Sequence, residues 1–120
     1  MKCHWCDLEL ESFKDDFGNI VMECPEIHSS IVFRNGEILS YCLFWDKDPE
    51  GKERYMMEYV NNITSVFKLY RDAYGARRRT SLFSTNVMIH PNLLFEDKKL
   101  KSSDEMDRLI ERLKKLRAFS

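Results

Sequence analysis

The chain has 120 residues, 43% of them hydrophobic and 32% charged, which suits one domain with a sizeable core and leaves little room for a second. Nineteen Lys and Arg against twenty Asp and Glu give a formal net charge of -1, excluding a uniformly cationic surface for nucleic acid but not a local basic patch. No apolar run approaches the roughly 20 residues that cross a bilayer. The first residues lack the apolar stretch of an export signal, so a cytoplasmic location without membrane contact is expected.

The chain opens with Met1-Lys2-Cys3-His4-Trp5-Cys6, and the remaining cysteines are Cys24 and Cys42. In a reducing compartment a disulfide framework is the less favoured use of them. A C-x-x-C turn lets two thiolates converge on one ion at about 2.3 Å each. Two more ligands complete a tetrahedron, and Cys24-Pro25-Glu26-Ile27-His28 offers them. The expected set is therefore Cys3, Cys6, Cys24 and His28 around a structural Zn2+ ion. His4 is the other candidate for the fourth place, although between two ligands it is expected to point outward. Closing the loop costs a few kcal/mol of chain entropy, against about 10 kcal/mol or more of apparent binding energy for structural zinc. Redox use of C-x-x-C places it at a helix N-terminus, and nothing helical is predicted after Cys6. Cys42 lies in an apolar run and reads as a core residue.

On these residues the segment 1–34 resembles a zinc ribbon, with a knuckle near the start and a Cys-Pro after a β-hairpin. Small bacteriophage proteins of unknown function often look like this, their second knuckle having the form C-P-x-C. Here Ile27 stands at the position of the fourth cysteine and His28 follows it. The resemblance implies an accessory protein of a phage, working in the host cytoplasm.

In chain order, Leu8 to Phe13 alternates as a strand, a turn follows over Asp15 to Asn19, and Ile20 to Cys24 returns. Ile31 to Arg34, Asn35-Gly36 and Glu37 to Trp45 predict a hairpin with a type I′ turn. Asp46 to Gly51 turns the chain into Arg54 to Val60, and Asn61-Asn62 turns it again into Ile63 to Tyr70. Between 53 and 70 the apolar residues also fit a helical stripe. Strands are preferred, because Tyr, Val, Ile, Thr and Phe are abundant and two asparagines would weaken a helix. Asp72 to Arg79 reads as a polar loop, Ser81 to Ile89 as a strand, and His90-Pro91 as its end. Ser102 then stands three residues before Glu105, as in a capping box. Met106, Leu109, Ile110, Leu113 and Leu116 form one stripe, predicting an amphipathic helix from Asp104 to Ala118 that packs on the sheet. Glu111 and Lys115 are spaced for an ion pair. The expected fold is α+β in a single domain. A zinc-ribbon-like hairpin over 1–34 leads into a mostly antiparallel meander over 35–100, with the C-terminal helix over 102–118.

Catalysis is not expected. No G-x-S-x-G, phosphate-binding glycine loop or H-E-x-x-H occurs, and the spacing of Asp46 and Asp48 is not that of a calcium loop. A non-catalytic interaction or regulatory module with a protein partner is the principal expectation. The rival is a nucleic-acid binder. Tyr70, Arg71, Tyr74, Arg77, Arg78 and Arg79 put guanidinium forks beside stacking faces, the combination that suits single strands. As a plain surface loop the same arginines would be solvated, or would pair with Asp46, Asp48 and Glu50.

Overall fold

Two asparagine turns organise the sheet. Asn35 and Gly36 take φ of 53° and 79°, and Asn61 and Asn62 take 51° and 64°. Both pairs are left-handed, as a type I′ hairpin requires and as β-branched residues resist. The second pair ends the ambiguity over 53–70, because a left-handed Asn-Asn breaks any helix and sets Val60 opposite Ile63.

In a computed structural model, which describes residues 1–89 and 102–117, the strands are β1 (Glu11–Lys14), β2 (Ile20–Glu23), β3 (Ser29–Arg34) and β4 (Glu37–Asp46). They continue as β5 (Arg54–Val60), β6 (Ile63–Arg71) and β7 (Arg77–Thr85), followed by the helix α1 (Ser103–Leu116). Each strand pairs antiparallel with its predecessor, giving one seven-stranded meander in chain order. The α+β architecture is the expected one.

Side chains alternate across the sheet, so register defines its two faces. On one face Leu43, Met57, Val66 and Phe83 form a cross-strand row. Beside it run Tyr41, Tyr59, Thr64 and Thr85. Tyr41 stacks on Tyr59 at 5.3 Å and Trp45 on Tyr55 at 5.7 Å between ring centroids. Helix α1 buries Met106, Leu109, Ile110 and Leu113 in the same core. An ion pair between Lys47 and Asp107 fastens it, as does Lys114 lying 5.6 Å from the Phe83 ring centre. The Ser102 side chain accepts the Glu105 N–H at 3.2 Å, capping the first turn. Lys114, rather than Lys115, meets Glu111 at 3.2 Å. No helix among the described residues is long and apolar enough to cross a membrane.

The core supplies a pH dependence. Burial pushes the Tyr41 hydroxyl from 10 up to about 12. An unfolded chain ionises this tyrosine two decades earlier, so its contribution is complete below pH 10 and is lost as pH rises through 12. That amounts to about 3 kcal/mol. Urea midpoints at pH 9 and pH 11.5 should differ by more in the native chain than in Tyr41→Phe; an equal difference in both contradicts the assignment.

Three local expectations are corrected. Leu8 to Leu10 is not strand: it is the return arm of a tight N-terminal turn, and β1 begins at Glu11. Cys42 is half-buried on the outer face rather than in the core, because Tyr41, Leu43 and Trp45 take the inward positions of β4. The Asp72–Arg79 loop is only a turn over 72–76. The Asp72 carboxylate accepts the N–H groups of Tyr74 and Ala76 at 2.9 and 3.0 Å, closing the hairpin early. Arg77 to Arg79 therefore lie in β7, with Arg78 paired to Asp72 and Arg79 to Glu58 rather than to the acids of the 46–51 turn. The expected sheet and helix residues at 90–100 and Ala118, with His90, lie outside the described residues.

Candidate metal centre

The first turn folds the chain start back on itself. Cys3 N–H donates to the Leu8 carbonyl and Leu10 N–H to that of Met1, each at 2.8 Å, while Lys2 bridges Glu9. Asp7 supplies the left-handed residue, with φ of 65°. A second turn joins β2 to β3, where Cys24 N–H donates to the Ser29 carbonyl and Ile27 N–H to that of Cys24, both at 2.9 Å. Ile27 there takes φ of 62°. A β-branched residue in that region costs on the order of 1–3 kcal/mol and persists only where its surroundings hold it. Glu11 pairs with Glu23, so the β1–β2 ribbon brings both turns to one end.

The result is a single cluster. Cys3, Cys6, Cys24 and His28 each place a ligand atom within 4.8 Å of all the others. Cys6 Sγ lies 3.4 Å from Cys24 Sγ, which is 3.8 Å from His28 Nδ1. Bonds of about 2.3 Å to a tetrahedral ion put thiolates about 3.7 Å apart, so these four lie close enough to bind one. Backbone N–H groups of Trp5 and Glu26 point at Cys3 Sγ and Cys24 Sγ, at 3.3 and 3.4 Å.

The electrostatics suit a bound cation. Burial pushes the Cys6 thiol up to about 12, and the neighbouring Cys24 and Cys3 sulfurs reinforce this against a hydrogen bond from the Leu8 backbone. Burial also acts on Cys24, but the backbone N–H groups of His28 and Glu26 and the Cys6 thiol outweigh it and draw its pKa down. Without a cation, sulfurs this close ionise one at a time; a bound cation would lift that restriction. Burial, then the charge of Arg54, lowers the His28 pKa and keeps its lone pair available.

A supporting layer reaches into the sheet. His4 is fully buried, contrary to the outward placement expected from its position between two ligands. Its Nε2 lies 3.2 Å from the Phe44 carbonyl and its Nδ1 2.6 Å from Ser29 Oγ, which is 3.1 Å from Cys3 Sγ. The carbonyl can only accept, so Nε2 carries the proton and Nδ1 accepts from the serine hydroxyl. Burial lowers the His4 pKa to about 4, so this neutral form persists at pH 7. His4 thus ties the knuckle to Ser29 of β3 and Phe44 of β4, and His28 is the imidazole within the cluster. The knuckle lies on the core side of the sheet, so the residue between its ligands finds partners inside. Nothing local marked Ser29 for this part, since its partners are 25 and 26 residues away.

No family model, curated protein or solved structure matches the chain.

The other predicted site residues sit at the β6–β7 end. The single loop expected for them is divided between the strands and the turn. Register sets Tyr70 opposite Arg78, and Arg71 opposite Arg77. Leu69 faces Arg79. Tyr74 stands at the tip, 95% exposed. On the outer face Arg79 covers Phe67 at 4.4 Å and Arg54 covers Phe44 at 5.1 Å.

Proposed function

We propose that the chain is a non-catalytic binding module whose N-terminal segment is fixed by one structural zinc ion on Cys3, Cys6, Cys24 and His28. The observation that carries this is the meeting of four ligand atoms from two separate turns within 4.8 Å. Three sulfurs and an imidazole suit zinc better than the hard cations that oxygen ligands select. Four protein ligands fill a tetrahedron, leaving no position for substrate or water, so the ion stabilises the fold and does no chemistry.

The ribbon resemblance over residues 1–34 supports an accessory role of the bacteriophage kind. A protein partner is supported by the β1–β2 hairpin, which holds Phe13, Phe17 and Ile20 in the open. Elemental analysis of protein purified without chelator should find one zinc per chain, and Cys24→Ser should carry much less. A zinc content near zero in the native chain rejects the reading.

A further inference from the structure

We infer that the groove across the outer face, between the Cys24–His28 turn and the β6–β7 end, binds single-stranded nucleic acid. This inference does not depend on the identity of the metal. The groove encloses about 560 Å³, within the about 300–1,000 Å³ range of ligand sites. It accommodates nucleotides one at a time rather than a duplex. Ile27, Phe44, Leu69 and Tyr70 give it apolar and aromatic walls. Lys52, Arg54, Arg71, Arg77 and Arg78 give it charge, and no acid is among the described residues that line it.

Three features point to a phosphate-bearing ligand. Arg71 lies directly opposite Arg77 across the β6–β7 pair. Like charges in that position destabilise a sheet, and an anion between them would relieve the repulsion. Among the described residues neither has an acid within ion-pair distance. Secondly, Arg54, whose side chain is half exposed, is paired only loosely, with Asp46 at 4.0 Å. The remaining cations are held only by exposed pairs, Arg78 with Asp72 at 3.0 Å and Lys52 with Glu50 at 2.6 Å. Pairs of that kind are weak enough for a phosphate to displace.

Thirdly, a stacking face is in place. Tyr74 stands fully open at the β6–β7 tip, while Tyr70, half exposed, borders the groove from the opposite face of β6 to Leu69 and Arg71. Guanidinium forks match phosphate oxygens two at a time, and base stacking on tyrosine tolerates any sequence. An acidic peptide would satisfy the arginines but leave the Tyr74 ring uncovered, so the nucleic acid uses more of what this end of the sheet offers.

The test is fluorescence anisotropy with a labelled 12-mer of uridylate, alongside a duplex of equal length and a polyglutamate peptide of equal charge. The single strand should bind more tightly than either. With three phosphates engaged, affinity should fall about 20-fold between 50 and 200 mM salt. The double variant Arg71→Ala/Arg77→Ala should weaken binding about 10-fold or more while its thermal midpoint holds or rises, because the opposed charges are gone. Tyr74→Leu should weaken it about 5-fold or more through lost stacking. Polyglutamate or duplex binding as tight as the single strand overturns the proposal. So does affinity unchanged in the folded arginine variant.

Discussion

Removing a metal bound at the N-terminal cluster is expected to release residues 1–28 from the body of the protein while β3 to β7 stay folded. The N-terminal ribbon has little else to hold it. All four residues of β1 are exposed, and a two-stranded hairpin alone is marginal in water. Cys3, Leu10, Val21 and Cys24 are its buried apolar positions. The energy of the ion, about 10 kcal/mol or more for structural zinc, would offset the left-handed Ile27 and the ordering of both turns. Loss of even about 3 kcal/mol of it should lower the thermal midpoint by about 10 °C or more. Calorimetry with and without chelator reads the midpoint, and amide exchange reads which segment opens. Cys24→Ser should reproduce the chelated state. An unchanged midpoint, with the metal shown to be gone, would mean that packing alone secures the ribbon.

Leu43→Ala should be the most damaging conservative truncation in the meander. Leu43 is fully buried and sits in the cross-strand row with Met57, Val66 and Phe83, against the face that α1 covers. Neighbours on β3 and β5 and the core beneath α1 cannot all collapse into the space, so the loss should be about 2–5 kcal/mol. Phe17→Ala is the control. Phe17 is 86% exposed at the β1–β2 tip and its removal should change stability by less than about 0.5 kcal/mol. Urea titration of both variants with the metal bound measures the contrast. Similar midpoints would show that the core does not centre on β4.

Much of this arrangement was legible in the sequence wherever a local rule applied. Asn35-Gly36 and Ser102 with Glu105 act within four residues, and both perform as their chemistry requires. The meeting of Cys3, Cys6, Cys24 and His28 was readable for a similar reason, since each pair lies within one turn and β1–β2 is short enough to bring the turns together. The errors share a cause in the middle distance. Arg77 to Arg79 read as loop because three charges follow a glycine. Yet a strand's outer face accepts long cations readily, and the turn had already closed at Asp72. Cys42 read as core because β4 is apolar on both faces, which hides the alternation. His4 read as exposed because its partners, Ser29 and the Phe44 carbonyl, lie 25 and 40 residues away.

The strictly sequential strand order bears on kinetics. Every pairing in the sheet joins neighbours along the chain, so no ladder has to wait for a distant segment to diffuse in. Low contact order of that kind favours quick assembly for a β-rich domain. The two left-handed asparagine turns are natural nucleation points, from which the central strands can zip outward. The long-range contacts are instead those of the His4 knuckle with Phe44 of β4 at one end and of the helix, through Asp107, with Lys47 just past β4 at the other, and these are expected to form last.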